Sequence, residues 1–379
     1  MTDRHRPASD SSGRRKSLTG HALRSDVGYV ARQCEDVAVD SGHRITMPVA
    51  GPTVRLATRA MACEFQVMLN PGADSTLETW RASDALDLVH SLEDQMTVYR
   101  EHSDLLDMNR LAVEGPVTVE TRLFGLIQQV LEIADRTESA YDPTSMPLVR
   151  LWRRCRDELR TPTDDEIAAV LELVGTGLVV LNAADDSIRF ERPGVELNLN
   201  GIGKGYALDR EAELLLGEDN NEWLLHGGRS SVLARGDHNG LGGWPVGIGN
   251  PLFRETRLAT LILKDQAMGT SGSGTQFFRV EGRRFGHILD PRTGWPVSDM
   301  LSVTVVAPDA ALADALATAF FVLGVEKATE CLHTWDGVGA ILIPRPERGR
   351  HLRPVVIGVP DEQIFWDVEQ AEPGRPEQA

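Results

Sequence analysis

Residues 310–323 read AALADALATAFFVL, apolar at every position except Asp314 and Thr318. A helix that is hydrophobic all round has to be enclosed on all sides, so the chain must build a core thick enough to surround it. With 379 residues it has ample length to do so. The run falls short of the ~18 consecutive apolar residues that a membrane span needs, and no other stretch comes nearer, so no membrane span is expected. Asp314 and Thr318 stand four residues apart, which puts both oxygens on one helix face. An ionised carboxylate in such surroundings is costly unless compensated, and a hard cation of the Mg²⁺ type with oxygen ligands would compensate it. The competing reading is a partly exposed aspartate, or one hydrogen-bonded to a nearby loop.

The rest of the composition fits a globular enzyme-sized chain: 41% hydrophobic, 25% charged and 6% aromatic residues. A net charge of −17 removes phosphate-backbone attraction as an organising force, so nucleic acid is not an expected partner. Cys34, Cys63, Cys155 and Cys331 are scattered and form no C-x-x-C pair, which argues for reduced thiols over a zinc site or a disulfide framework. Residues 1–52 show no helical or strand period and read as a disordered leader. Arg14-Arg15-Lys16 is followed by Leu18, Thr19, Gly20 and His21, which is no apolar export core, so a cytoplasmic location is expected. Residues 366–379, rich in Pro and Glu, read as a disordered tail, leaving 53–365 as one α+β catalytic domain in two lobes.

Within that domain, short alternating or β-branched runs predict strands at 54–57, 64–69, 178–181, 194–199, 223–225, 231–234, 258–263, 302–307, 339–343 and 355–359. A hairpin is expected at 277–281 and 284–289, and helices at 75–97, 123–137, 163–173, 206–216, 310–323 and 325–333.

Two further segments carry chemistry. Asn198-Leu-Asn-Gly201-Ile-Gly203-Lys204-Gly205 follows a strand-like run and opens a helix. Glycines at such a junction let backbone N–H groups approach an anion at a positive helix terminus. It is neither a Walker loop, since Gly205 follows Lys204, nor a dinucleotide fingerprint, since Tyr206 holds the third glycine position. A plain strand-to-helix turn is the alternative. Residues 269–274 are small enough to form an anion nest, and His287-Ile-Leu-Asp290-Pro-Arg-Thr-Gly294 combines a turn signal with a histidine able to exchange protons near neutral pH. A structural histidine at a strand end is the plainer reading.

Taken in order, these segments resemble the FAD:protein FMN transferase (ApbE) family. The resemblance runs through Met61-Ala-Cys63, Thr97-Val-Tyr99, Tyr141-Asp-Pro-Thr144, Gly201-Ile-Gly-Lys-Gly-Tyr-Ala-Leu-Asp209, His226-Gly-Gly228, Thr270-Ser-Gly272, His287 to Gly294 and Asp314-Ala-Leu-Ala-Thr318, covering roughly residues 53–345. It implies an Mg²⁺-dependent transferase that splits the FAD pyrophosphate, attaches FMN by a phosphoester to a Ser or Thr of a flavoprotein acceptor, and releases AMP. By the same resemblance Asp314, Thr318 and the carbonyl of Gly201 are metal ligands, and His287 and Asp314 are the catalytic residues. Met61, Tyr99, Ala140, Tyr141, Asp142, Asn198, Lys204 and Leu289 are then the FAD-contacting residues. The chain departs from the family pattern at Asn198-Leu-Asn, where Asp-Leu-Gly is usual, at Arg229, where Asp is usual, and at Ser273-Gly274, where an acidic and aromatic pair is usual. A Mg²⁺-dependent FAD pyrophosphatase and a non-catalytic FAD-binding protein are the alternatives.

Overall fold

A computed structural model describes residues 53–70, 75–216, 222–253, 255–273, 277–280 and 282–367. β1 (Val54–Ala60) and β2 (Cys63–Leu69) make a hairpin whose two-residue turn, Met61-Ala62, holds both φ angles positive at 48° and 59°. That is the backbone that matches strand twist in tight hairpins. Helices α1 (Ser75–Met96) and α2 (Asp104–Leu111) follow, then β3 (Val117–Thr118), α3 (Thr121–Arg136), α4 (Met146–Asp157), α5 (Asp164–Leu171), β4 (Val179–Asn182) and β5 (Ser187–Phe190). Next come α6 (Gly203–Leu215), β6 (Trp223–Gly227), β7 (Ser231–Arg235), β8 (Trp244–Gly249), β9 (Arg257–Leu263), β10 (Gln266–Gly272) and the hairpin β11 (Phe277–Val280) and β12 (Arg283–Gly286). β13 (Met300–Ala307), α7 (Ala310–Leu332), β14 (Gly339–Pro344), β15 (Val355–Ile357) and β16 (Ile364–Trp366) complete the described chain.

Eight strands form the central sheet in the order β1-β2-β6-β7-β10-β13-β14-β15, every neighbouring pair antiparallel. One of its interior strands, β13, is buried at every position, so it must be covered on both faces. The period-2 alternation of a strand divides the work. Val303, Val305 and Ala307 belong to a core shared with residues of α1, α6 and α7, whereas Val306 joins Val232, Met268 and Ile341 against Trp244, Leu261 and Ile364 of the β16-β9-β8 sheet. The result is helices, large sheet, small sheet. Burial of each such side chain is worth about 1.5–3 kcal/mol.

Helix α7 is enclosed as its composition demands, with Ala310, Ala313, Ala315, Leu316, Ala317, Ala319, Phe320 and Phe321 fully inaccessible. Its first turn is capped twice. Asp309 accepts a hydrogen bond from Leu312 N at 2.8 Å, and Asp209 of α6 accepts from Ala310 N and Ala311 N at 2.8 Å each. Burial pushes Asp209 up to about 7, against the pull of those two N–H donors. Two glycines let the layers close on α7. A Cβ on Gly205 would stand 2.0 Å from Ala310 O, and one on Gly269 would stand 2.4 Å from the Ala313 carbonyl.

Several expectations need correction. Residues 194–199 form no strand, although Val195, Leu197 and Leu199 are buried in the expected alternation. Their ladder partner is a side chain: Asn109 Nδ2 donates to Leu197 O at 2.9 Å, and Leu197 N donates to Asn109 Oδ1 at 2.8 Å. Residues 269–272 are not a loop nest but the end of β10, their small size serving the contact with α7. The helices expected at 310–323 and 325–333 are both present, meeting within α7 at a break at Gly324, where φ is 75° and ψ −178°. Helices α2 and α4 are additional. Strand β16 continues to Trp366, and the leader assigned to 1–52 and the tail from 368 lie outside the described residues. Cys63, Cys155 and Cys331 carry free thiols, and Cys34 lies outside the described residues.

Candidate active site

The ends of β7 and β10, the start of α6, the first half of α7 and the 287–291 segment converge on a cleft of about 1240 Å³. It is closed on the other side by Tyr99, the 140–142 segment and α4. At its floor lies Asp314, 6% exposed. Ser231 Oγ lies 2.7 Å from each of its carboxylate oxygens, and Gly205 N donates to Oδ2 at 2.9 Å. Lys204 Nζ stands 3.7 Å from the same Oδ2. Burial pushes the Asp314 carboxyl above its ordinary value, while the Lys204 ammonium, the Ser231 hydroxyl and the Gly205 N–H work in the opposite direction. The glycine loop read as an anion cradle thus already directs one N–H at an anion, the protein's own carboxylate.

Thr318 lies one turn further along α7, as its spacing requires. Its Oγ1 donates to Asp314 O at 3.4 Å and lies 3.0 Å from Ser271 Oγ. Gly201 lines the cleft beneath the Tyr141 ring, and a Cβ there would meet Tyr141 Cε2 at 2.8 Å. The donor set facing this corner is one carboxylate with hydroxyl and carbonyl oxygens, and among the described residues no three His, Cys, Asp or Glu side chains gather as metal ligands. Such a set fits Mg²⁺, which takes few protein oxygens and leaves positions for phosphate and water, and does not fit zinc or iron.

Of the remaining sequence candidates, Tyr99, Ala140, Tyr141, Asp142, Asn198, Lys204, His287 and Leu289 all line the cleft. Asp142 is buried, and its Oδ1 accepts from Thr144 N at 2.7 Å and from Thr144 Oγ1 at 2.6 Å; burial raises its pKa. The Tyr141 hydroxyl is buried without a hydrogen-bond partner among the described residues, and burial pushes its pKa far up. Asn198 Nδ2 reaches Met146 Sδ at 3.6 Å, while its Oδ1 receives Asn200 N at 2.9 Å. Tyr99 is exposed, holds the amide of Asn200 through its hydroxyl and lies under the Arg153 guanidinium at 4.9 Å. His287 is exposed on the segment after β12. Met61 is the exception: it packs against the main core from the β1–β2 turn, and its neighbour Ala62 reaches the cleft. The residues that sequence reasoning missed are Ser231 and the cleft-lining Arg153, Arg156 and Ser271.

Residues 61–342 match the model of the ApbE family. A Klebsiella pneumoniae FAD:protein FMN transferase is 34% identical over 266 residues, 70% of this chain and 82% of that protein. The Treponema pallidum FAD:protein FMN transferase is 32% identical over 69% of this chain and 76% of its own length. Among solved structures, the ApbE protein of Thermotoga maritima superposes with a TM-score of 0.69 at 27% identity, covering 77% of this chain and 94% of that one. The Vibrio cholerae flavin transferase ApbE does so with a TM-score of 0.69 at 25% identity, covering 81% and 97%. Fold and relatives together define a transferase enzyme of mixed α+β architecture. The chain belongs to the ApbE family.

Proposed function

We propose that this chain is an Mg²⁺-dependent FAD:protein FMN transferase, forming a phosphoester between FMN and a Ser or Thr of a flavoprotein acceptor and releasing AMP. One observation carries the reading: a carboxylate buried at the floor of a cleft large enough for a dinucleotide, with an ammonium and a helix N-terminus beside it. Its relatives' shared name agrees with it.

In this reading Asp314, Thr318 and the Gly201 carbonyl hold the metal ion. When bound, Mg²⁺ neutralises charge on the pyrophosphate as a Lewis acid. Lys204 and the N–H groups at the start of α6 face the phosphates and add fixed positive potential where charge builds up. Tyr99, Tyr141 and Asn198 border the space for the flavin and nucleotide. His287, at the open side, accepts the proton of the acceptor hydroxyl. The acceptor oxygen bonds to the FMN phosphorus, the pyrophosphate P–O bond breaks, and AMP departs with the bridging oxygen.

The test is intact-mass spectrometry of a flavin-acceptor domain carrying a Ser or Thr site, incubated with the protein, FAD and Mg²⁺. An FMN-sized gain that disappears with chelator and with Asp314→Ala is the expected result. AMP release without an adduct would make the chain a pyrophosphatase, and no AMP at all would reduce it to an FAD-binding protein.

A further inference from the structure

We infer that Ser231 is a positioning residue for the metal-binding carboxylate. Its hydroxyl fixes the plane of the Asp314 carboxylate so that an oxygen is presented to the cation in the geometry Mg²⁺ demands. The inference rests on the assignment of Asp314 as a metal ligand made above.

Three observations carry it. First, Ser231 Oγ lies 2.7 Å from both Oδ1 and Oδ2, so its one proton is shared across the fork of the carboxylate. A donor on one oxygen alone would let the group swivel about χ2, whereas a shared donor loses contact when it turns. Second, the remaining donors are lopsided: Gly205 N and Lys204 Nζ both approach Oδ2, leaving Oδ1 with Ser231 as its one protein donor among the described residues. Oδ1 therefore keeps lone pairs for a cation while Oδ2 is held in the wall. Third, the sheet is shaped for this contact. In register, Ser231 stands between Gly227 on β6 and Gly269 on β10. Gly269 lets the α7 backbone at Ala313 and Asp314 settle onto the sheet at a distance no side chain permits. A hydroxymethyl group on the middle strand of this row, with no exposed surface, is what meets the carboxylate.

A serine that merely satisfied a buried anion would matter to stability and to any metal alike. A positioning serine matters most to the ion with the strictest geometry. Mg²⁺ requires near-ideal octahedral placement, while Ca²⁺ accepts variable ligand angles and numbers. Residues that orient metal ligands change affinity by about 10–100-fold when removed. Ser231→Ala is therefore expected to weaken Mg²⁺ binding by about 10-fold or more and Ca²⁺ binding by markedly less. Ser231→Thr, which keeps the hydroxyl, is expected to restore the Mg²⁺ preference.

The experiment titrates the full chain and both variants with Mg²⁺ alone and with Ca²⁺ alone. Binding is read from the shift in thermal midpoint with metal concentration and from calorimetry, with circular dichroism to confirm the fold. A second readout is the split between Mg²⁺ requirement and turnover with FAD: the concentration of Mg²⁺ for half-maximal AMP release rises in Ser231→Ala, while the rate at saturating Mg²⁺ stays near that of the parent chain. Equal losses for Mg²⁺ and Ca²⁺, or an unchanged Mg²⁺ affinity in a folded Ser231→Ala, would overturn the positioning role and leave Asp314 as a ligand. A parent chain that binds neither ion would overturn both the role and the assignment of Asp314.

Discussion

Glu211 lies on α6 with none of its surface exposed, and neither carboxyl oxygen has a hydrogen-bond partner among the described residues. Burial holds its pKa well above the ordinary glutamate value, so the folded protein keeps it protonated. In the unfolded chain the same group loses its proton above about pH 4.3. Glu211 therefore adds no pH dependence to stability below that pH, and stability declines as pH rises towards the folded-state pKa. The stabilisation from Glu211→Met should be smallest at pH 4 and grow towards pH 8 by about 1 kcal/mol or more. Urea unfolding of both proteins at the two pH values checks this, and a difference between them that ignores pH counts against it. Asp314 is the opposite kind of buried carboxylate, surrounded by donors. The sequence singled out Asp314 by its apolar helix, whereas Glu211, in the charged run YALDREAELLL, gave no such signal. The donors around Asp314 come from Lys204, Gly205 and Ser231, on other elements, and so were not legible locally.

At the scale of elements, two glycines on or against α7 separate two reasons for that residue. Gly269 has room for nothing, since a Cβ would stand 2.4 Å from the Ala313 carbonyl, whereas Gly324 has nothing within 4 Å but holds φ at 75° and ψ at −178°. Gly324→Ala should cost about 1–3 kcal/mol through backbone strain alone. It should leave metal affinity unchanged, since the bend lies beyond Thr318. Gly269→Ala should cost as much or more by forcing β10 and α7 apart, and should weaken metal binding, because α7 carries Asp314. Chemical denaturation together with a Mg²⁺ titration of each variant distinguishes the two. The break at Gly324 was legible as a boundary between two helices. The helix that resumes beyond it was legible as well, as the run 325–333. Helix α4 was legible in principle: Leu148, Leu151, Trp152 and Cys155 follow i, i+3, i+4, i+7 and are all buried, but Arg150, Arg153 and Arg154 between them obscured the stripe. The pairing of 194–199 with the Asn109 side chain leaves no local trace, because periodicity records burial and not the identity of the hydrogen-bond partner.

For the whole molecule, the relevant contrast is between a net charge of −17 and a cleft lined by Lys204, Arg153, Arg156 and Arg229 against Asp142 and Asp314. Arg229 is exposed, and its φ of 66° places it in the left-handed region. A local positive lining in an acidic body draws anions to one place, and its reach shrinks with ionic strength. FAD binding should weaken several-fold between about 20 and 300 mM NaCl, and Arg229→Ala should flatten that dependence. Flavin fluorescence titrations across salt concentrations read both. The overall architecture was largely legible from 54–69, 231–234, 302–307 and 310–323. The order of strands was not, since it depends on pairings between distant segments.

The antiparallel neighbours of the central sheet are often far apart along the chain. Asn70 and Glu222, hydrogen-bonded at the β2–β6 border, are 152 positions apart. The residues that cage Asp314 come from 204, 205 and 231, and Asp314 itself sits on an element that enters only after β13. Long-range closure of this kind is slow and comes late in folding. A ribosome must therefore deliver more than three-quarters of the chain before Asp314 can meet the groups that cage it, and a prematurely terminated product lacks that carboxylate. The floor of the cleft is thus withheld from the nascent protein until the sheet behind it is in place.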